Sequence, residues 1–313
     1  MVSTEIALTI LVLIGAIVVD LLIGDPRSRF HPVALLGGFI GIWGRPEYFP
    51  PATQRLAGVI LWFITTGFFA VPFILVSLWA PWYLYLLIGP FFLKICFAWR
   101  SLEEHTIAVK TAVAEGVENG RDRVKLLVSR DTANLDREHI LSAGYESMTE
   151  NLTDSIISPL LFFIVFGLAG AAVYRAANTM DAMLGYRDER ERLGWWAARM
   201  DDILNFIPAR ITVVLLLVYF MMKGRLSNAL KVMKRDGHRR PGFNGGIVMA
   251  VMAGGTGVRF EKPGVYSIGD GEVSLERGGP EIMKATRAVV LFFVIFACCT
   301  LFLLGSLINN TGI

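Results

Sequence analysis

Residues 56–99 decide the architecture: LAGVILWFITTGFFAVPFILVSLWA over 56–80, then Pro81, then WYLYLLIGPFFLKICFAW over 82–99. The first run holds no charged side chain and the second only Lys94. A hydrocarbon layer about 30 Å thick is crossed by about 20 apolar residues of helix, so both runs read as membrane helices. Pro72, and the Gly89-Pro90 pair with Lys94, mark kinks or a snorkelling end. Working outward, 6–23 and 288–308 qualify in the same way. Residues 156–173, interrupted by Pro159, Gly167 and Gly170, and the short run 211–222 are weaker.

The whole chain agrees with these runs. Of 313 residues, 54% are hydrophobic and 18% charged, and the mean hydropathy of +0.54 excludes an ordinary soluble domain. Thirty Lys and Arg against 27 Asp and Glu give a net charge of +3, too balanced for a nucleic-acid footprint. Cys96, Cys298 and Cys299 lie in apolar stretches without CxxC spacing, which excludes a disulfide framework and a zinc site. The N-terminal run lacks a basic leader, contains Asp20 and reaches no small-residue cleavage site, so it is expected to be retained.

Lys and Arg number four in 24–55, seven in 100–155, six in 174–210 and twelve in 223–287. By the positive-inside rule these loops lie in the cytoplasm. Keeping 174–210 there requires 156–173 and 211–222 to form a re-entrant or protein-buried hairpin, which lipid-shielded backbone permits. The expected fold is an all-α polytopic membrane protein with four to six membrane helices. It is read as one integrated domain, 1–313, with helical polar loops at 24–55, 100–155, 174–210 and 223–287. Within them, Leu102, Val109, Val113 and Val117 form an apolar helical stripe ended by Asn119-Gly120. Asp136 suits an N-cap between the staple residues Leu135 and Ile140, opening a helix through Glu146 and Glu150 toward Asp154.

Four constellations carry chemistry. In Asp20-Leu-Leu-Ile-Gly24-Asp25-Pro26, followed by His31-Pro32, Gly24 caps a membrane helix. An acid such as Asp20 within it faces a bundle interior, or sits at the interface beside Arg27 or Arg29. His31 is a base, a phosphate donor or a structural residue. Glu146, Glu150 and Asp154 recur at i, i+4 and i+8, so one helix face is acidic and calls for a cation. Mg²⁺ with substrate phosphates is one reading, an arginine-paired network or a solvated face the other. Asn178 and Asp181, then Arg199, Asp201, Asp202, Asn205 and Arg210, mix carboxylates, amides and guanidiniums able to hold metal and phosphate. Finally, Arg239-Arg240-Pro-Gly-Phe-Asn244-Gly245-Gly246 is a basic, Gly-rich turn that offers backbone amides to an anion, though its arginines equally suit membrane anchoring.

Taken in order, the motifs resemble the adenosylcobinamide-phosphate synthase family of cobalamin biosynthesis. They are DLLIGDP with HPV at 20–33, SRDT at 129–132, ESMTENLTDSIISPL at 146–160, YRAANTMDAMLGYR at 174–187, ARMDDILNFIPARIT at 198–212 and NGGIVMAVMAGGTGVRFEKPGVYSIG at 244–269. Members carry Ser-Pro-Asn where this chain has Gly242-Phe243-Asn244. The resemblance implies an ATP- and Mg²⁺-dependent ligase joining adenosylcobyric acid to aminopropanol phosphate or ethanolamine phosphate. It works at the inner cell membrane, with a corrinoid and an amino alcohol phosphate as small-molecule partners, and leaves room for an oligomer and for other late-pathway membrane enzymes as neighbours. Glu146, Glu150, Asp154 and Asp181 are then the expected metal or base groups, with Asp25 and His31 as further acid–base candidates. Arg130, Asp131, Asn178, Arg199, Asn205, Arg210 and Asn244 are expected toward the nucleotide, and Trp195, Trp196 and Phe206 toward the corrinoid or the membrane interface. These groups are expected to meet in one pocket. From the residues alone, a transporter and a non-catalytic membrane sensor stay open as alternatives.

Overall fold

A computed structural model describes residues 2–25 and 29–311. Pro26 and Arg27 of the first constellation lie outside the described residues. The described chain is almost entirely helical: α1 (Val2–Ile23), α2 (Pro32–Trp43), α3 (Gln54–Trp79), α4 (Trp82–Cys96), α5 (Trp99–Glu115), α6 (Val117–Val124), α7 (Arg137–Leu152), a π turn (Thr153–Ile157), α8 (Ser158–Leu184), α9 (Glu191–Leu204), α10 (Phe206–Met222), α11 (Leu226–Asp236), α12 (Gly245–Thr256) and α13 (Leu275–Thr311). Between α12 and α13, β1 (Phe260–Lys262) and β2 (Tyr266–Ile268) form an antiparallel hairpin with Phe260 opposite Ile268. Sequence reading missed this hairpin, because three-residue strands are too short for an alternating pattern to register.

Among the described residues, five helical segments are long and apolar enough to cross a membrane: Thr4–Ile23, Gln54–Trp79, Trp82–Glu115, Arg137–Leu184 and Leu275–Asn309. Leu22, Phe68, Leu78, Phe296 and Phe302 on them are well over half exposed, a surface that suits lipid and not water. The chain is a polytopic membrane protein. Trp79, Trp82 and Tyr83 are exposed around the α3–α4 turn, where aromatic rings favour a membrane–water interface. The two weaker runs are the broken ones. Gly167, with φ +67° and ψ −162°, interrupts α8, and α9 and α10 bend by 42° on either side of Asn205.

The residues group into two compact units whose segments interleave along the chain. The first contains 1–98, 158–205 and 294–313, and the second 99–157 and 206–293.

In the first unit α1 packs on α4 through small residues. A Cβ at Gly15 would lie 2.9 Å from Pro90, and one at Gly89 would lie 3.1 Å from Val12, so a side chain at either glycine would crowd this approach. Val12, Leu13 and Ala16 are fully buried in the seam. Gly24, with φ +70°, ends α1 as expected, its N–H donating to the Asp20 carbonyl.

In the second unit α12 is buried from Val248 to Thr256. At twelve residues it is too short to cross a bilayer, and its uniformly apolar faces are enclosed by protein. Asp136 caps α7 by accepting from the His139 N–H, and the flanking Leu135 and Ile140 are both buried. One helix end differs from expectation. α5 stops at Gly116, and Asn119-Gly120 lies inside α6, so the stripe of buried Val109 and Val113 does not continue to the exposed Val117.

Candidate functional site

The second unit gathers most of the expected phosphate-facing side chains around the end of α7 and the start of α12. Glu146 is buried and fully engaged. Its Oε2 accepts from Arg130 Nη2 at 2.8 Å and from the Tyr266 hydroxyl at 2.6 Å, and its Oε1 accepts from the Ser142 hydroxyl. Ser142 accepts in turn from the Glu261 N–H at 2.7 Å, tying the hairpin to α7. Burial, followed by the Glu146 charge, raises the Tyr266 hydroxyl above its ordinary pKa, so it stays protonated and donates.

One turn further along α7, Glu150 pairs with Arg240 Nη2. Burial opposes the Arg240 charge, but Glu150, Tyr266 and Asp154 outweigh it and hold the guanidinium above its usual pKa. Asp154 is the second residue of the π turn, a local widening often found at functional positions. Arg240 lies against the first residue of α12, where a Cβ on Gly245 would come within 2.3 Å of its Nη1. On the same turn Arg210 Nη1 donates to Asn244 Oδ1 at 2.5 Å, and its guanidinium covers the Phe206 ring at 3.8 Å. Asn244, the N-cap of α12, makes no capping bond with its side chain. Two guanidiniums, two glycines and the unpartnered amides of a first helical turn therefore meet at one helix N-terminus, a cradle for anions. Asp131 is exposed, its Oδ1 accepting from the Ala133 N–H at 2.9 Å to shape the loop beside Arg130.

The first unit holds two polar clusters. In the first, Lys94 is buried, and its ammonium donates to Asp25 Oδ1 at 2.5 Å and to the Phe97 carbonyl at 3.2 Å, with Asp20 Oδ1 at 3.0 Å. Lys94 thus does not snorkel out of the apolar run, because two carboxylates and a carbonyl solvate it inside. Asp20 has no exposure and takes the interior alternative. His31 Nε2 lies 3.8 Å from Asp25, while Nδ1 accepts from the Val33 N–H at 3.3 Å and caps α2. Burial, first among its influences, lowers the pKa of His31, so the ring is neutral near pH 7 with its proton on Nε2.

The second cluster sits at the α9–α10 break. Asn205, 1% exposed, accepts from Ser158 at 2.6 Å and Tyr174 at 2.8 Å and donates to Asp201 at 3.0 Å, while Asn178 donates to Asp201 at 3.1 Å. Asp181 is half-buried on α8, and a Cβ on Gly185 would fall 2.0 Å from its Oδ1. Arg199 is exposed on α9. Trp196 meets Trp62 edge-on, and Trp195 is covered by Arg55.

Glu146 and Asn244 therefore belong to the second unit, and Asp181 and Arg199 to the first. Among the described residues no three His, Cys, Asp or Glu side chains are grouped to hold a metal. Glu146 is spent on its neighbours. Glu150 and Asp154, carboxylates beside an arginine, fit a hard cation that arrives with phosphate and needs only one or two protein ligands. Lys94, Arg240 and Tyr266 were missed or underweighted. Lys94 carried a signal, as an ionisable group deep in an apolar run, and Arg240 adjoined the Gly-rich turn. Tyr266 carried none.

A family model described as "CobD/Cbib protein" matches residues 13–292. The chain belongs to the CobD/Cbib protein family. Among curated relatives, the "Probable cobalamin biosynthesis protein CobD" of Methanothermobacter thermautotrophicus is 38% identical over 288 residues, covering 91% of this chain and 94% of the relative. The protein of the same description from Thermococcus kodakarensis is 42% identical, covering 79% of this chain and 81% of its own length. The "Cobalamin biosynthesis protein CobD" of Dehalococcoides mccartyi is 35% identical, with 83% and 87% covered. No solved structure matches.

Proposed function

We propose that this CobD/Cbib family member acts in cobalamin biosynthesis as an ATP-dependent amide ligase, joining adenosylcobyric acid to aminopropanol or ethanolamine phosphate to give adenosylcobinamide phosphate. The observation that carries the reading is the anion cradle at the start of α12, where Arg210 and Arg240 flank Asn244 and the Gly245-Gly246 amides beside Glu150 and Asp154.

A carboxylate is a poor acyl donor, so amide formation requires activation. In the simplest route an oxygen of the corrinoid carboxylate attacks the γ-phosphorus of ATP and ADP leaves. The neutral amine then attacks the resulting acyl phosphate, releasing inorganic phosphate and forming the C–N bond. Arg210 and Arg240, with the α12 amides, hold the phosphates and stabilise the charge of the transferring group. Glu150 and Asp154 would hold Mg²⁺, which when bound neutralises phosphate charge. Arg130 is fixed by Glu146 with its guanidinium plane set, which makes Glu146 a positioning residue in this scheme.

The incoming ammonium must lose a proton before it attacks. Asp25 and His31 stay acid–base candidates on the family resemblance; within the first unit Asp25 is paired with Lys94, and neutral His31 spends Nδ1 on Val33. Asp181, Asn178 and Arg199 in the first unit remain candidates for substrate contact, as does Asp131 in the second unit, while the buried Asn205 holds Asp201 in place. The loops that carry these residues are assigned to the cytoplasmic side of the inner membrane, consistent with their content of Lys and Arg. The test uses purified full-length protein in detergent with adenosylcobyric acid, amino alcohol phosphate, ATP and Mg²⁺. Product formed only when all four are present is the expected result. No product overturns the reading, and substrate-independent flux in liposomes favours a transporter.

A further inference from the structure

The second unit contains a cavity of 340 Å³ at the other end of α7, bounded by Ser142, Glu261, Arg259, Val273 and Leu275 and lying within the usual size range of small-ligand sites. One wall is a flat cation held in place. Arg259 Nη2 donates to the Asp270 carbonyl at 2.7 Å, and its side chain lies along Gly271, where a Cβ would sit 3.3 Å from Nε and 3.5 Å from Cζ. Gly271 has φ +74°, so glycine meets both the turn and the close approach. The buried Leu275 and the neighbouring Val273 supply an apolar surface. Glu261 and Glu138 line the remainder and bring carboxylates to it, with Glu261 pinned through its backbone to Ser142.

A guanidinium plane, an aliphatic surface and acidic acceptors together suit a flat heterocycle bearing N–H groups and a polyhydroxyl sugar. Guanidinium planes stack on nucleobases, and carboxylates accept from exocyclic amines and ribose hydroxyls. Ser142 borders this cavity, and Glu150 borders the phosphate cradle. They lie eight residues apart on one helix, or about 12 Å along its axis. That span matches the distance from the base to the terminal phosphates of an extended nucleotide, and Arg130 stands between the two ends, bonded to both Glu146 and the Glu261 carbonyl.

We infer that the Arg259 cavity is the nucleoside subsite for the nucleotide whose phosphates occupy the α12 cradle. This rests on the nucleotide-dependent reading above, and the two can fail separately.

The experiment compares ATP with inorganic tripolyphosphate by calorimetric titration of the full-length protein in detergent. In the native chain ATP binds at least tenfold more tightly than tripolyphosphate. Arg259→Ala and Gly271→Val each remove that preference while leaving tripolyphosphate affinity unchanged, and Arg240→Ala weakens both ligands. Arg259→Lys, which keeps the charge but not the plane, also loses the preference, and an unchanged melting temperature shows that it is folded. Native chain that binds tripolyphosphate and ATP equally, or an Arg259 variant that keeps the ATP preference, overturns the nucleoside subsite alone. Native chain that binds neither ligand overturns both proposals.

Discussion

Replacing Lys94 by Met tests how the first unit tolerates charge in an apolar run. The substitution roughly conserves volume but removes the ammonium that serves Asp20 at 3.0 Å, Asp25 at 2.5 Å and the Phe97 carbonyl at 3.2 Å. Asp25 keeps partial access to solvent, with a quarter of its side chain exposed, whereas Asp20 has none. The penalty therefore falls on Asp20. Removing one partner of a buried ion pair costs about 3–5 kcal/mol, since the remaining charge is left in a medium that solvates it poorly. At 2–4 °C per kcal/mol, a loss near the middle of that range lowers the apparent melting temperature in detergent by roughly 8–16 °C. Pairing Lys94→Met with Asp20→Asn removes the stranded charge, and most of the loss should return. A single variant that melts with the native chain, or a double variant no more stable than the single one, would refute the claim that Lys94 exists to solvate Asp20.

Other outcomes follow from the same geometry. Arg240→Ala lowers ligase turnover by about 10²–10³-fold in the reconstituted assay, the size of effect seen when one donor to a developing anion is removed. Tyr266→Phe takes one hydrogen bond from the buried Glu146 and costs about 1–3 kcal/mol, read from thermal unfolding. Asn205→Ala removes the acceptor of the Ser158 and Tyr174 hydroxyls and, at about 1–3 kcal/mol for each, costs about 2–6 kcal/mol, measured in the same way. Folding favours neutral His31, so its contribution is complete above pH 6.5 and is lost as the pH falls through the lower folded value. After correction for the base-catalysed intrinsic exchange rate, the protection factor of the Val33 amide should fall on acidification across that window and stay constant as the pH is raised above it.

The long uninterrupted runs were legible because a bilayer imposes a length and a composition that nothing else in a protein requires. Asp136 and Gly24 were legible because caps are local, each satisfied within a few residues. Lys94 was not, since one lysine in an apolar run looks the same whether it reaches outward to water or inward to carboxylates, and Asp25 is 69 residues away in sequence. The acidic face of α7 was seen, but its spacing is identical for a metal and for guanidinium partners. Only the fold shows that Arg130 takes Glu146 and Arg240 takes Glu150. Tyr266 lies 120 residues from Glu146 on a strand of three residues, where no periodicity accumulates.

The interleaving of the two units has a consequence for biogenesis. The backbone passes between them four times, after residues 98, 157, 205 and 293, and α13 begins in one and ends in the other. On the ribosome neither unit can be completed until this last helix has been translated, so Asp20 and Glu146 are made long before their surroundings are whole. Nascent chains should consequently depend on the insertion machinery or chaperones throughout elongation, and cutting the gene at any of these crossings cannot yield an autonomous half.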